Sequence, residues 1–278
     1  MEYSEKIIDI EKAIRSGNNK FLRSLPLFLI KLLRKLVCED EINAAINRSR
    51  HLIGVPFLID MLDGWNVNVN TRGGENLPPS GRFIFAANHP VGGVDALSIF
   101  TSIYKYYPNI VSPANQLLNT IPNLRPLVFG LDVFGKASRE TASKLDDLYE
   151  SDTQIMIFPA GEVSRRSIGI ISDIVWQKSF ITKAVQHRRD VVPVHISGRN
   201  SNLFYNVATL RKKLGIKMYI ETLLLPREMI KQRNSTVTIT IGKPIPYQTF
   251  SPDRSPQEWA QMVKEIVYSL QVKNSQSP

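Results

Sequence analysis

The run Asn88-His89-Pro90-Val91-Gly92-Gly93-Val94-Asp95 sets a histidine and a carboxylate on either side of a tight turn. A histidine at a strand end can face an aspartate at the start of the next helix, which is how a general base and its orienting carboxylate are commonly arranged. Pro90 biases His89 toward an extended backbone, and Gly92-Gly93 lets the chain reverse without Cβ clashes. Taken alone, the pair is better explained as a strand end and a helix N-cap, with Asp95 at the cap position. A second block is needed to shift that balance, and Phe158-Pro159-Ala160-Gly161-Glu162-Val163-Ser164-Arg165-Arg166 supplies one. Here again a turn follows an apolar run, now with a carboxylate, a hydroxyl and two cations. Backbone N–H groups in such a turn can be aimed at an anionic oxygen.

Other candidate chemistry is weaker. Gly130-Leu131-Asp132-Val133-Phe134-Gly135-Lys136-Ala137 nearly spells a phosphate-binding loop, but Ala137 stands where a magnesium-binding hydroxyl belongs. Its apolar residues read as a strand edge, and Lys136 remains a possible anion contact. His51 and His187 lie beside arginines in helical segments and are expected to be solvated. His195 lies in an apolar strand and is expected to be a core or edge histidine. The sequence holds no HExxH, paired CxxC or GxSxG, which argues against a zinc protease, a structural zinc site and a serine hydrolase.

The elements around both blocks follow from hydrophobic periodicity. Strands are predicted at Phe83–Ala87, Gln154–Phe158, Val191–Ile196 and Val237–Ile241. Helices are predicted at Asp95–Tyr107, Ser138–Tyr149, Ile174–His187 and Asn202–Leu214. This alternation predicts an α/β fold, a single layered domain with a largely parallel mixed sheet flanked by helices. Residues 1–63 form a helical arm, 64–250 the central domain, and 251–278 a closing helix and tail. In the arm, Leu25, Phe28, Leu29, Leu32 and Leu36 recur at helical spacing, with Lys31, Arg34 and Lys35 on the other side. Such a basic amphipathic helix can lie in a membrane interface or pack on the protein's own core.

The chain of 278 residues is 43% hydrophobic and carries a net charge of +10, so it is long and apolar enough for a large core. That charge points to an anionic partner: nucleic acid, a membrane surface or an acidic protein. The basic clusters Arg165-Arg166, Arg188-Arg189 and Arg211-Lys212-Lys213 could touch phosphates, yet no nucleic-acid module accompanies them. Cys38 is the single cysteine, and the order of a secretory signal is lacking, so a cytosol-facing protein is expected.

Together these segments resemble the lysophospholipid acyltransferase family, whose blocks are Asn-His-x4-Asp, Phe-Pro-Glu-Gly-Thr-Arg-Ser and a later proline-ended strand. They correspond to Asn88-His89…Asp95, Phe158–Ser164 and Val191-Val192-Pro193-Val194, with an intermediate block near Phe134-Gly135-Lys136 and a late element at Ile241–Ile245. The resemblance spans about residues 65 to 248. Asp95 comes one residue later than usual, and Ala160 and Val163 replace the family's glutamate and arginine. Both departures, with Ser197–Phe204, are similar to a bacterial branch carrying a haemolysin label and to the O-acyltransferases that complete glycine and ornithine lipids.

The resemblance implies acyl transfer from a thioester, on acyl carrier protein or CoA, to the hydroxyl of a lysolipid, most simply a lyso-amino-acid lipid. His89 would be the general base and Asp95 its partner. Amides around Gly161 would hold the oxyanion, and Lys136, Glu162, Ser164 and Arg165 would contact the acceptor. No cofactor and no metal are implied. The implied partners are acyl carrier protein and an anionic leaflet, without nucleic acid, at the cytoplasmic face of the bacterial inner membrane. The competing expectations are a 1-acylglycerol-3-phosphate acyltransferase and a non-catalytic membrane-binding or lytic protein.

Overall fold

In the computed structural model of the chain, the described residues are 6–16, 23–132, 138–216 and 219–272. Among the described residues, four short helices come first: α1 (Ile10–Ser16), α2 (Leu27–Leu36), α3 (Glu39–Arg48) and α4 (Val55–Gly64). The remaining elements are β1 (Asn68–Arg72), β2 (Phe83–Ala87), α5 (Gly93–Tyr104), β3 (Ile110–Asn115), β4 (Val128–Leu131), α6 (Arg139–Glu150), β5 (Gln154–Ile157), β6 (Arg165–Ser167), β7 (Ile170–Ser172), α7 (Ser179–Gln186), β8 (Asp190–Ile196), α8 (Asn202–Lys213), α9 (Leu225–Ile230), β9 (Thr236–Ile241) and α10 (Pro256–Val272).

A seven-stranded sheet in the order β1-β9-β8-β2-β5-β3-β4 forms the centre. Neighbours are parallel throughout except β8 with β9, so the sheet is mixed but mostly parallel. The expected α/β domain is thus observed. Strands β2, β5 and β8 lack hydrophilic alternation because both of their faces are covered. Phe83, Phe85 and Ala87 of β2 face one core with Val192 and Val194 of β8, against α4 and α5. Ile84 and Ala86 face a second core containing Trp176 and residues of α7 and α10. A third, smaller cluster joins Val163, Phe204, Tyr205 and Leu224.

The boundary expected at residue 63 is not a packing boundary. Ile42, Ala45 and Ile46 of α3 and Phe57, Leu58 and Met61 of α4 belong to the same core as β2. Helix α2 is different. It buries Ile30, while Leu27, Phe28 and Leu32 are 57%, 68% and 60% exposed. Of the predicted stripe, Phe28 and Leu32 face outward, while Leu25, Leu29 and Leu36 are half-buried and Leu36 packs on the third cluster. Lys31, Arg34 and Lys35 hold one side of this helix, and tertiary contacts choose Ile30, outside the recurring stripe, for burial. No helix among the described residues is long and apolar enough to cross a membrane.

Two more sequence expectations need correction. The helix expected from Ile174 begins at Ser179, because Trp176 is drawn into the second core and its indole Nε1 donates to Asp173 Oδ2 at 2.9 Å. Arg189, expected to reach phosphates, is fully buried. Its guanidinium donates to the carbonyls of Tyr149, Ser151 and Thr153, and burial pulls its pKa down to about 10.

Candidate active site

Strands β2, β5 and β8 run parallel, so their carboxyl ends meet on one edge of the sheet, where open α/β sheets keep their sites. Asn88 follows β2 and extends its pairing with β8. The Asn88 amide donates to the Ile196 carbonyl at 2.9 Å, and the Ile196 N–H donates to Asn88 Oδ1 at 2.7 Å. The motif asparagine thus locks the strand end from which His89 departs.

Helix α5 starts earlier than predicted. Gly92 occupies the N-cap with φ +122°, and Asp95 is the third helical residue rather than the cap. Its carboxylate turns back onto the preceding loop, where Oδ2 accepts the Val91 and Gly92 N–H groups, each at 2.8 Å. The positive φ of Gly92 favours glycine there, and a Cβ at Gly93 would come 2.6 Å from Met229 Sδ, which would have to move aside. Asp95 is fully buried, and His89 Nδ1 lies 2.8 Å from the same Oδ2. That contact assigns the proton to Nδ1 and leaves Nε2 as the ring's basic nitrogen. The position of Asp95 in the first helical turn also suits a negative charge.

The second block forms a wall against this histidine. The Phe158 ring stacks on the His89 ring at 4.0 Å between centroids and 12° between planes. The Ser164 N–H donates to the His89 carbonyl at 2.7 Å. Ser164 Oγ donates to Asp173 Oδ1 at 2.6 Å, and the His89 N–H reaches the same oxygen at 3.2 Å. His89 is therefore gripped through its ring by Asp95 and Phe158, and through its backbone by Ser164 and Asp173.

The other expected site residues divide. Ser164, expected at the substrate, is 1% exposed and its hydroxyl is engaged by Asp173, so it holds the histidine instead. The Gly161 N–H donates to the Phe158 carbonyl at 2.9 Å, which takes it away from any oxyanion. The amides of Ala160, Glu162 and Val163 have no backbone acceptor among the described residues, and those of Glu162 and Val163 follow the glycine at this turn. Gly161 itself sits at φ +69° with open space where a Cβ would be. Glu162 pairs with Arg165 at 3.2 Å, and Arg165 also approaches the fully buried Glu221 at 3.4 Å. The Arg165 guanidinium lies over the rings of Phe204 and Tyr219. Lys136 falls outside the described residues.

His51 is exposed, as expected, and the other two histidines are accounted for by packing. His195 is 4% exposed and meets the Tyr268 ring edge to face, and burial holds its pKa down to about 4. His187 is not solvated as expected. Its ring is buried against Tyr149, with Nδ1 2.7 Å from Glu150. Among the described residues, no group of three or more His, Cys, Asp or Glu is placed to hold a metal.

Asp173 is the residue that sequence reasoning missed. It is 3% exposed and accepts from Ser164, Trp176 and the His89 backbone. The Asp173 N–H donates to the Tyr268 hydroxyl at 2.7 Å, and burial, reinforced by the Asp173 charge, raises the Tyr268 pKa. No local spacing announces Asp173, because the β6–β7 hairpin carries it back to a histidine far away in sequence.

A family model described as "Acyltransferase" matches residues 12–277. The lyso-glycine lipid O-acyltransferase of Bacteroides thetaiotaomicron is 42% identical over 265 residues, covering 95% of this chain and 97% of that protein. The protein of the same name from Phocaeicola vulgatus is 41% identical, with 95% of each chain covered. The crystal structure of the 1-acyl-sn-glycerophosphate acyltransferase PlsC from Thermotoga maritima superposes with a TM-score of 0.48. It is 17% identical, and the match covers 90% of this chain and 94% of that one.

Proposed function

Since the chain belongs to this acyltransferase family, we propose that it transfers a fatty acyl chain from a thioester to the hydroxyl of a lyso-glycine lipid. The observation that carries the mechanism is the His89 ring, bonded through Nδ1 to buried Asp95 at 2.8 Å with Nε2 left to act on substrate. Nε2 accepts the acceptor's hydroxyl proton as the oxygen attacks the thioester carbonyl. A general base of this kind contributes about 10²–10⁴-fold. Asp95 keeps the tautomer and stabilises the imidazolium as it forms. The tetrahedral oxyanion rests on the Glu162 and Val163 amides, where one donor is worth roughly 3 kcal/mol. Collapse expels the thiolate, which takes the proton from Nε2 and restores the neutral ring. No acyl-enzyme is needed.

The choice of acceptor is supported by two relatives of that name at 41% and 42% identity. It is also supported by Val163, which replaces a motif arginine suited to a phosphate headgroup. We place the protein as a peripheral enzyme on an anionic leaflet at the cytoplasmic face, with acyl carrier protein as donor partner and CoA as the alternative carrier. The net charge of +10 suits both surfaces. Exposed Leu27, Phe28 and Leu32, set among Lys31 and Lys35, suit the interface. The test is purified protein with an acyl thioester and either lyso-glycine lipid or lysophosphatidic acid, with products read by mass spectrometry. Acylation of the lyso-glycine lipid in preference is expected. Preferential acylation of lysophosphatidic acid would overturn the acceptor assignment.

A further inference from the structure

Strands β6 and β7 form an antiparallel hairpin in the register Arg165↔Ser172, Arg166↔Ile171 and Ser167↔Ile170, which leaves Ile168-Gly169 as a two-residue loop. Both loop residues have positive φ, +47° and +80°. Such loops favour Asn-Gly, and a β-branched residue at the first position is strained. Ile168 is nevertheless 99% exposed, and Ile170 beside it is 69% exposed. Ile171, on the opposite face of β7, packs on the cluster of Val163, Phe204, Tyr205 and Leu224, so the hairpin is anchored on one side and bare on the other.

Neighbouring elements share that character. Leu36, at the end of α2, packs on the same cluster from the helix that exposes Leu27, Phe28 and Leu32. Helix α8 supplies Phe204 and Tyr205 to it while exposing Leu210 beside Lys212 and Lys213. Segments 27–36, 165–172 and 202–213 contain Lys and Arg but no Asp or Glu. Arg34, Arg165 and Arg211 are paired with Glu39, Glu162 and Glu221, whereas Lys31, Lys35, Arg166, Lys212 and Lys213 have no carboxylate partner among the described residues. Exposed apolar side chains among such cations match a bilayer interface with anionic headgroups.

The geometry points to the β6–β7 hairpin as a membrane-docking finger whose tip, Ile168 with Ile170, enters the lipid and sets the height of His89 above it. This deepens the function proposed above and rests on the acceptor being a membrane lipid. The two ends of the hairpin are the residues that grip the histidine. Ser164 precedes β6 and donates to the His89 carbonyl at 2.7 Å. Asp173 follows β7 and accepts the His89 N–H at 3.2 Å. The Ser164–Asp173 bond of 2.6 Å closes the base of the finger. A tip fixed in lipid thereby fixes the loop that presents Nε2.

Ile168→Asn separates docking from folding, because asparagine accepts positive φ and removes the apolar tip together. The full-length variant and the wild type are compared by co-sedimentation with vesicles of phosphatidylglycerol and phosphatidylethanolamine, by thermal melting, and by light scattering without lipid. Turnover of lyso-glycine lipid dispersed in detergent micelles is measured alongside. The expected result is unchanged or raised melting, vesicle affinity lowered roughly tenfold or more as the buried isoleucine is lost, and micellar turnover unaltered. Vesicle binding equal to the wild type would overturn the finger, as would a lipid-free dimer that the substitution dissociates. A variant that loses vesicle binding while neither protein acylates the lyso-glycine lipid in micelles would uphold the finger and refute the acceptor.

Discussion

Replacing Asp173 by alanine tests whether the backbone grip on His89 is as consequential as its geometry implies. The carboxylate is buried and accepts from the Trp176 indole at 2.9 Å, the Ser164 hydroxyl at 2.6 Å and the His89 N–H at 3.2 Å. Trp176 is fully buried and Ser164 is 1% exposed, so neither donor finds water when the acceptor is removed. An orphaned buried donor costs about 1–3 kcal/mol, so the two together cost about 2–6 kcal/mol. For a chain of this size each kcal/mol lowers the melting temperature by about 2–4 °C, giving an expected drop of about 5–20 °C. Activity should fall as well, because misplacing a reacting group by about 1 Å can cost roughly a hundredfold. Since Asp173 does not meet the acceptor, that loss belongs in kcat, with KM near the wild-type value. Asp173→Asn keeps one acceptor oxygen and should recover part of the stability. Ser164→Ala should cost only about 1 kcal/mol, since it removes a single bond. Calorimetry and steady-state assays read all three variants. An Asp173→Ala protein that melts and turns over like the wild type would refute the role given to this carboxylate.

His195 and Glu221 make further tests of the packing. Burial lowers the His195 pKa from 6.5 to about 4, so between these values the unfolded chain takes up a proton that the folded chain refuses. The stability present above pH 6.5 is therefore lost as the pH falls toward 4, by up to ~3 kcal/mol. His195→Gln should flatten urea-unfolding stability across that window, and an unchanged pH dependence would contradict the assignment. Glu221 is fully buried between Arg165 at 3.4 Å and Arg211 at 2.8 Å. Glu221→Ala leaves Arg211 without its carboxylate and Arg165 with Glu162 alone, and should cost about 3–5 kcal/mol in urea. A loss below about 1 kcal/mol, as for a surface pair, would contradict it.

Much of this arrangement could be read in the sequence because its parts are local. Strand β2 is an unbroken apolar run and β8 is apolar apart from Asp190 and His195, and covering both of their faces makes such runs unambiguous. The His89–Asp95 contact needs only one turn, so spacing and glycine content sufficed to suggest it. Strands β1 and β3 were missed. Asn-Val-Asn-Thr-Arg lies at the sheet edge, half-exposed and without an apolar face. Ile110–Asn115 contains Pro113 and polar residues, and its pairing with β4 and β5 decides its shape. Asp173 and Ser164 were unreadable as a pair that positions His89, because only the hairpin brings them to the end of β2. For α2 the sequence left two placements open, a membrane interface or the protein's own core. The apolar face of this helix is wide, and tertiary contacts chose Ile30, outside the recurring stripe, for burial.

The central claim is that Nε2 of His89 removes the acceptor's proton, and the most direct measurement compares wild-type and His89→Ala turnover. Purified proteins, matched in melting temperature, are given lyso-glycine lipid and an acyl thioester, with diacylated product followed by mass spectrometry. The account predicts a fall in kcat of about 10²–10⁴-fold for the variant. A His89→Ala protein that forms product at the wild-type rate would contradict it.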